Sequence, residues 1–295
     1  MSEKRYRRLG AAVNTVARLS PKLAGRVATR LFIRPRRFTP GPHEAAYLAE
    51  ARRLSFPFDP PLVGYRWAPR HRAARPRLRV LLIHGWESYA ARWTPLARRL
   101  VERDAVVYAF DGPAAGASGG RITPFNLYVR AAAAFEREHG PFDVFVGHSL
   151  GGGVAAQLAA RLPPGRRPSR AVVMACFDES EHVFDRYHAM LGLSGRVRRA
   201  FDARIHRIVN HLTSDTVRDY SNTAALQRVG DGVEGLVVHS RDDAVAPVCE
   251  AEALHAAWPG ARLVVYDDEG HGLYGARVVE EVVDFATARR PPPPG

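Results

Sequence analysis

Gly147-His148-Ser149-Leu150-Gly151 stands between an apolar run, Val144-Phe145-Val146, and a helix-forming run over 154–160. A serine on such a sharp strand-to-helix turn has its hydroxyl lifted off the sheet edge and set at a helix N-terminus, where it can attack a carbonyl carbon. Gly147 and Gly151, two residues either side of the serine, remove the side chains that would clash in so tight a turn. Gly152 and Gly153 extend the small-residue zone. A glycine-rich helix start with Ser149 as an ordinary N-cap has the same local sequence, so the nucleophile assignment rests on partners elsewhere in the chain.

A nucleophilic serine needs a base and a group that orients the base. The candidate base is His271, in Glu269-Gly270-His271-Gly272. It follows a strand-like run over 263–266 and precedes a helical stretch over 276–288, which places it on a loop at the carboxyl end of a strand. A chain with 12 histidines also offers polar loop histidines with no chemical role. The candidate acid is Asp243, after the short buried run Leu236-Val237-Val238. Asp242 is adjacent, and Asp178 follows another strand-like run, 171–174, so both are alternative acids on position. The oxyanion hole needs two backbone N–H groups aimed at developing negative charge. Leu150, the residue after the nucleophile, supplies one. Trp86, after the strand 78–83 and the turn His84-Gly85, supplies the other, and its ring can pack at the same time because the donor is main chain.

The order serine, aspartate, histidine along the chain, with these loops, resembles the α/β-hydrolase superfamily. Val106 to Ser118 adds a strand followed by a loop similar to the D-x-x-G-x-G-x-S loop found there, with Ala115 between the usual positions and Gly116-Ala117-Ser118 as its ending. His84-Gly85-Trp86-Glu87 together with Asp111-x-Pro113-x-x-Gly116-x-Ser118 resembles a bacterial branch with esterase-like members. The resemblance spans about residues 62 to 288 and implies a mostly parallel sheet flanked by helices, and a Ser-His-Asp triad. Substrate is not implied, since the superfamily hosts esterases, lipases, thioesterases, acyltransferases, peroxidases and lyases on one scaffold. A serine at position 149 argues against the dehalogenase and epoxide-hydrolase branches, which use aspartate there.

The same fold class follows from the pattern of elements. Strand 78–83, helix 91–103, strand 106–110, helix 125–139, strand 143–147, helix 150–162 and strand 171–175 alternate, with nearly continuous apolar strands, as in a parallel sheet covered on both faces. The rhythm breaks over 178–230, which shows helical spacing and no strand and reads as a helical cap, bounded at 178–232. It resumes with strand 235–239, helix 248–258, strand 262–266 and helix 276–288. Phe184 and Met190, in the cap, are candidate substrate-pocket residues, because ligand pockets are mostly apolar. Residues 62–70 read as an early strand and 71–77 as a basic turn. Residues 1–38 form a basic helical preface: Tyr6, Leu9, Val13 and Val16 recur at helical spacing, Ser20-Pro21 reads as an N-cap with proline at the first helical position, and Leu23, Val27 and Leu31 continue one face. Either these helices pack on the body or over the site mouth, or they form a basic amphipathic segment that touches an anionic membrane. Thr39 to Pro61 is proline-marked and reads as a connector. The tail Pro291-Pro292-Pro293-Pro294-Gly295 has no core residues and reads as disordered.

Composition sets further bounds. A length of 295 residues fits one α/β domain with insertions. Two cysteines, Cys176 and Cys249, make no disulfide framework and fit a reducing cytoplasm. No run approaches the ~20 apolar residues of a spanning helix, and no secretory h-region stands at the N-terminus. The net charge of +13 raises nucleic acid as a partner. Only Lys4 and Lys22 of the 43 basic residues are lysine, and the arginines are spread along the chain as in a GC-rich coding sequence, with no nucleic-acid module. No His/Cys/Asp cluster has ligand spacing, so no metal and no organic cofactor is expected. The expected function is therefore cleavage of a carboxylic ester or thioester of a small-molecule substrate. Acyl transfer or lyase chemistry on the same serine is the alternative, and a non-catalytic binding protein on the hydrolase fold is the alternative of another class.

Overall fold

The structure, a computed structural model, describes residues 3–71, 77–212 and 220–288. Its helices are α1 (Glu3–Leu19), α2 (Pro21–Ile33), α3 (Pro42–Glu50), α4 (Thr94–Glu102), α5 (Phe125–His139), α6 (Leu150–Arg161), α7 (Ser180–Leu191), α8 (Gly195–Leu212), α9 (Asn222–Val229), α10 (Val248–Ala257) and α11 (Ala276–Thr287). Its strands are β1 (Arg52–Phe56), β2 (Leu62–Trp67), β3 (Arg79–Ile83), β4 (Val106–Phe110), β5 (Val144–His148), β6 (Arg170–Met174), β7 (Glu234–Ser240) and β8 (Arg262–Tyr266).

The eight strands form one sheet in the order β1-β2-β4-β3-β5-β6-β7-β8. β1 and β2 are antiparallel to their neighbours, and the sheet from β4 to β8 is parallel. Every residue of β4, β5 and β6 is buried, as a parallel sheet covered on both faces requires. Side chains alternate between two cores: Leu81 and Ile83 of β3 face the layer that contains α5, α6 and α10, while Val80 and Leu82 face α4 and α11. The pairing sets Ile83 level with Gly147 and Met174 level with His148. The loops that leave β3, β5 and β6 therefore emerge together at the carboxyl edge of the sheet, where open α/β sheets hold their ligands.

Between β6 and β7 the described elements are all helices. α9 packs on α6 and α10, at the body of the fold. α7 and α8 instead receive the N-terminal helices: α2 lies along α8, and α1 lies against α7 and α2. Ser20 caps α2 by accepting the Leu23 N–H at 3.2 Å, with Pro21 opening the helix. Asn14 of α1 fastens the α7–α8 turn, donating to the Gly192 carbonyl and accepting from the Ser194 N–H, each at 2.9 Å. Tyr187 donates from its hydroxyl to the Ala28 carbonyl at 2.8 Å. Val13, Ala17, Ala24, Ala28 and Ile33 are buried in this contact, and Leu9, Val27 and Leu31 are half-buried against it.

Three parts of the chain differ from the reading of its sequence. The stretch 39–61 is more than a connector, since it holds α3 and the edge strand β1, paired with β2 from Arg52 opposite Arg66 to Phe56 opposite Leu62. β1 is Arg-Arg-Leu-Ser-Phe with only Phe56 buried, so it lacks the apolar run or alternation that marks a strand. The helix expected from residue 91 starts as a 3₁₀ turn over Ala90–Trp93 and becomes α4 at Thr94. The expected early strand ends at Trp67. Most of the expected basic turn, the cap residues 213–219 and the proline tail lie outside the described residues.

A chain beginning at Thr39 would uncover the faces of α7 and α8, with Phe184, Phe201 and Ile205 exposed. It is expected to aggregate or to melt far below the full chain in a thermal unfolding scan. A truncated chain that melts at the full-length temperature and stays soluble would show that α1 and α2 contribute nothing to the core.

Candidate active site

β5 runs into α6 through Ser149, which sits at φ 53° and ψ −124°, a conformation rarely adopted by a residue with a side chain. The turn is too crowded for side chains on either side of it. A Cβ on Gly147 would lie 2.2 Å from the Gly151 carbonyl oxygen, and one on Gly151 would lie 2.2 Å from that of Ile83. The Ser149 N–H donates to the Met174 carbonyl at 2.7 Å, which ties the turn to β6.

Across the sheet edge, His271 sits on the loop after β8. Ser149 Oγ–H donates to His271 Nε2 at 3.1 Å, and His271 Nδ1–H donates to Asp243 Oδ2 at 2.8 Å. Asp243, on the loop after β7, is buried, and its Oδ1 accepts from the N–H groups of Val245 at 2.7 Å and Ala246 at 2.9 Å. Burial pushes the Asp243 carboxyl up, but the His271 ring beside it and the two N–H donors outweigh that and hold it below the ordinary carboxylate range. It is thus an ionised, fixed acceptor that selects the tautomer with a proton on Nδ1 and leaves Nε2 free to accept.

The loop carrying His271 is tethered at several further points. Asp242 Oδ1 accepts from Ser240 Oγ at 2.5 Å and from the Gly270 N–H at 2.8 Å. His148 Nε2–H donates to the His271 carbonyl at 2.7 Å. Complete burial, together with the nearby Arg92 charge, pushes the His148 pKa well down, so its ring is neutral. Arg92 donates from Nη2 to the Gly272 carbonyl at 2.6 Å and from Nη1 to the Tyr274 hydroxyl, with its guanidinium 4.1 Å from the centre of the Tyr274 ring.

The loop after β3 lies over the serine turn. A Cβ on Gly85 would stand 3.0 Å from both the His148 carbonyl oxygen and Ser149 Cβ. His84 is buried and neutral: desolvation lowers its pKa, Nε2 accepts from the Gly112 N–H at 2.9 Å, and Nδ1–H donates to the Gly85 carbonyl at 2.8 Å. Tyr128 donates to the His84 carbonyl at 2.9 Å. Trp86 follows directly, beside a small cavity of about 10 Å³. Leu150 opens α6, so its N–H is one of the first-turn donors left free by helix geometry. Asp111 holds the neighbouring loop, accepting from the N–H groups of Ala90 at 2.7 Å and Ala117 at 2.8 Å and from the Tyr65 hydroxyl at 3.2 Å.

A model of the alpha/beta hydrolase family matches residues 80–285, which carry all of these loops. The chain belongs to the alpha/beta hydrolase family. Among curated relatives, the monoglyceride lipase of Homo sapiens is 30% identical over 105 residues, 33% of this chain and 34% of that protein. The monoacylglycerol lipase of Mycolicibacterium smegmatis is 32% identical over 99 residues, 30% of this chain and 34% of that protein. The matched part thus spans about a third of each relative's length. Among solved structures, an esterase from Pyrococcus furiosus superposes with a TM-score of 0.61 at 18% identity, covering 86% of this chain and 96% of that one. At that identity the likeness speaks for the alpha/beta hydrolase fold alone.

The other residues singled out from the sequence lie apart from the serine. Asp178 joins a cluster of its own, where Oδ1 binds His182 Nδ1 at 2.6 Å and its backbone N–H donates to Glu250 Oε2 at 3.0 Å. Ligand atoms of Asp178, His182 and Glu250 lie within 4.8 Å of one another, a grouping that could hold a metal ion, whereas none was expected. No sequence spacing announces it, because Glu250 comes from α10. Phe184 is buried in a ring cluster, 5.6 Å from Phe32 and 5.7 Å from Phe201 between ring centres. The cavity beside Trp86 is lined instead by Gly85, Glu87, Pro113, Thr123 and Tyr128 among others, and Met190 is half-buried on α7.

Sequence reading missed Arg92 and the particular partners of the N-terminal segment, whose packing on the body or over the site mouth it did offer. Phe32 stacks on Trp86 at 6.1 Å. Arg36 forms a paired contact with Glu87, and Arg37 donates to the carbonyls of Gly116, Ser118 and Gly120. Tyr274 beside the histidine and Glu87 beside Trp86 were weak signals for such partners.

Removing the Arg92 tether should let the His271 loop drift by a fraction of an ångström. Arg92→Ala is expected to lower kcat for a soluble ester by about 10- to 100-fold with KM little changed. Arg92→Lys should not restore it, because a point charge cannot span the Gly272 carbonyl and the Tyr274 hydroxyl together. Steady-state kinetics with both variants checks this, and full activity in Arg92→Ala would remove the tether from the account.

Proposed function

We propose that the protein hydrolyses a carboxylic ester or thioester through Ser149, His271 and Asp243. The observation that carries the reading is the unbroken chain of contacts from Asp243 Oδ2 through the His271 ring to Ser149 Oγ, at 2.8 Å and 3.1 Å. In the proposed reaction Ser149 Oγ attacks the acyl carbon while His271 Nε2 takes the hydroxyl proton. The carbonyl electrons move onto oxygen, and the N–H groups of Leu150 and Trp86 receive that negative charge, each worth about 3 kcal/mol in the transition state. Collapse of the intermediate returns the electrons to carbonyl, breaks the bond to the alcohol or thiol, and passes the His271 proton to it. A water molecule then repeats the sequence on the acyl-serine and frees the acid. Throughout, ionised Asp243 stabilises the His271 imidazolium.

Both curated relatives are named for the lipolysis of monoacylglycerols, which makes such an ester a natural first substrate beside p-nitrophenyl esters of graded chain length. Esters of this kind reside partly in membranes, and the basic N-terminal helices are read as a peripheral membrane contact.

The wild-type chain is expected to cleave the esters and to react with a fluorophosphonate probe. Ser149→Ala should lose both while melting like the wild type. Asp243→Asn should lower kcat by on the order of 10⁴-fold, because the amide fixes the wrong histidine tautomer. Asp242→Asn and Asp178→Asn should cost much less. Labelling that persists in Ser149→Ala would remove the serine from the mechanism, and transfer of the acyl group to an added alcohol in preference to water would make the protein an acyltransferase.

A further inference from the structure

A cleft of about 520 Å³ runs along the outer side of α2, a volume within the range of small-ligand sites. Its apolar lining comes from Leu23, Val27, Ile33 and Ile122. Its rim holds five arginines brought together from three parts of the chain: Arg26, Arg30 and Arg34 of the α2 segment, Arg121 of the loop before α5, and Arg204 of α8. Among the described residues, no acidic side chain lines the cleft. Among the described residues, none of these five guanidinium groups has an ion-pair or hydrogen-bond partner. Other arginines of this chain do find carboxylates, as Arg36, Arg99 and Arg277 show. Five like charges around one apolar floor repel one another, and a matching anion would relieve that repulsion.

A second feature adjoins the first. The α1–α2 corner exposes Leu19 at 91% and Leu23 at 49%, with Arg18 and Lys22 beside them. Leu23 belongs to both the corner and the cleft. Apolar side chains standing in water within a ring of cations suit the boundary between headgroups and acyl chains of an anionic bilayer. A nucleic acid would match the charge but has no use for exposed leucines, and among the described residues no aromatic ring lines the cleft to stack on a base. A second copy of this chain would set arginine against arginine.

We propose that this face docks on an anionic membrane, with Leu19 and Leu23 entering the interface and the five arginines holding lipid phosphates, one headgroup seated in the cleft. The proposal deepens the peripheral-contact reading of residues 1–38 and is independent of ester cleavage, which a water-soluble ester reports separately.

The test is flotation of the full chain with vesicles of phosphatidylcholine alone and of phosphatidylcholine mixed with phosphatidylglycerol. The chain should float with the mixed vesicles, remain behind with phosphatidylcholine alone, and be released by added salt. Arg26→Glu with Arg30→Glu should weaken partitioning by about five-fold or more per position. Leu19→Ser with Leu23→Ser should also weaken it, while both variants keep the wild-type rate on p-nitrophenyl acetate and the wild-type melting temperature. Equal binding to both vesicle types, or partitioning unchanged in either variant, would overturn the proposal. So would tighter binding to a single-stranded oligonucleotide that ignores the leucine changes. Vesicle binding without any esterase activity would uphold the docking face and overturn the ester reading instead.

Discussion

The serine turn can exist only because two stretches of backbone approach each other more closely than any side chain allows. Gly147 lies against the carbonyl of Gly151, and Gly151 in turn lies against the ends of β3 at Ile83 and His84. This wedge holds Ser149 at a positive φ, a local cost on the order of 1–3 kcal/mol that the surrounding sheet must sustain. The parallel register that sets Ile83 beside Gly147 provides that support, and the bond from the Ser149 N–H to Met174 adds the neighbouring strand. Three strands therefore fix one hydroxyl, and the same register delivers the His84-Gly85-Trp86 loop directly above it.

The histidine loop is organised differently. It leaves β8 near the edge of the sheet and is only half-buried, so apolar packing alone would leave it free to move. Polar tethers restrain it instead. Asp243 holds the His271 ring, Asp242 holds the Gly270 N–H, His148 holds the His271 carbonyl and Arg92 holds the Gly272 carbonyl. The adjacent aspartates thus divide the work, one facing the imidazole and one facing the backbone that carries it. On the opposite side, the N-terminal segment stacks Phe32 on Trp86 and pairs Arg36 with Glu87, so the segment that packs along α8 also reaches the loop after β3.

Much of this was legible in the sequence where a local pattern reports a local constraint. The buried central strands read as apolar runs, and the spans 106–110 and 262–266 coincide with β4 and β8. Gly147, Ser149 and Gly151 announced a strand-to-helix turn because the steric requirement is written within five residues. The histidine and the two aspartates were placed by the strands they follow, and the structure brings His271 and Asp243 together with Ser149 while Asp178 joins His182 and Glu250. What stayed hidden depends on contacts between distant parts of the chain. β1 carries two arginines on an exposed edge and looks like a linker. Arg92 is one of many arginines until Gly272 and Tyr274 fold against it. Phe184 and Met190 suggested a pocket, but Phe184 packs instead against Phe32 of the N-terminal segment.

The central claim is that a hydroxyl raised by the elbow faces an oxyanion site made by two loops. A crystal structure of the protein after reaction with an alkyl fluorophosphonate tests it most directly. The account predicts phosphorus bonded to Ser149 Oγ, with the phosphonyl oxygen within hydrogen-bond distance of the N–H groups of Leu150 and Trp86. Phosphorus on any other side chain, or a phosphonyl oxygen turned away from both N–H groups, would contradict it.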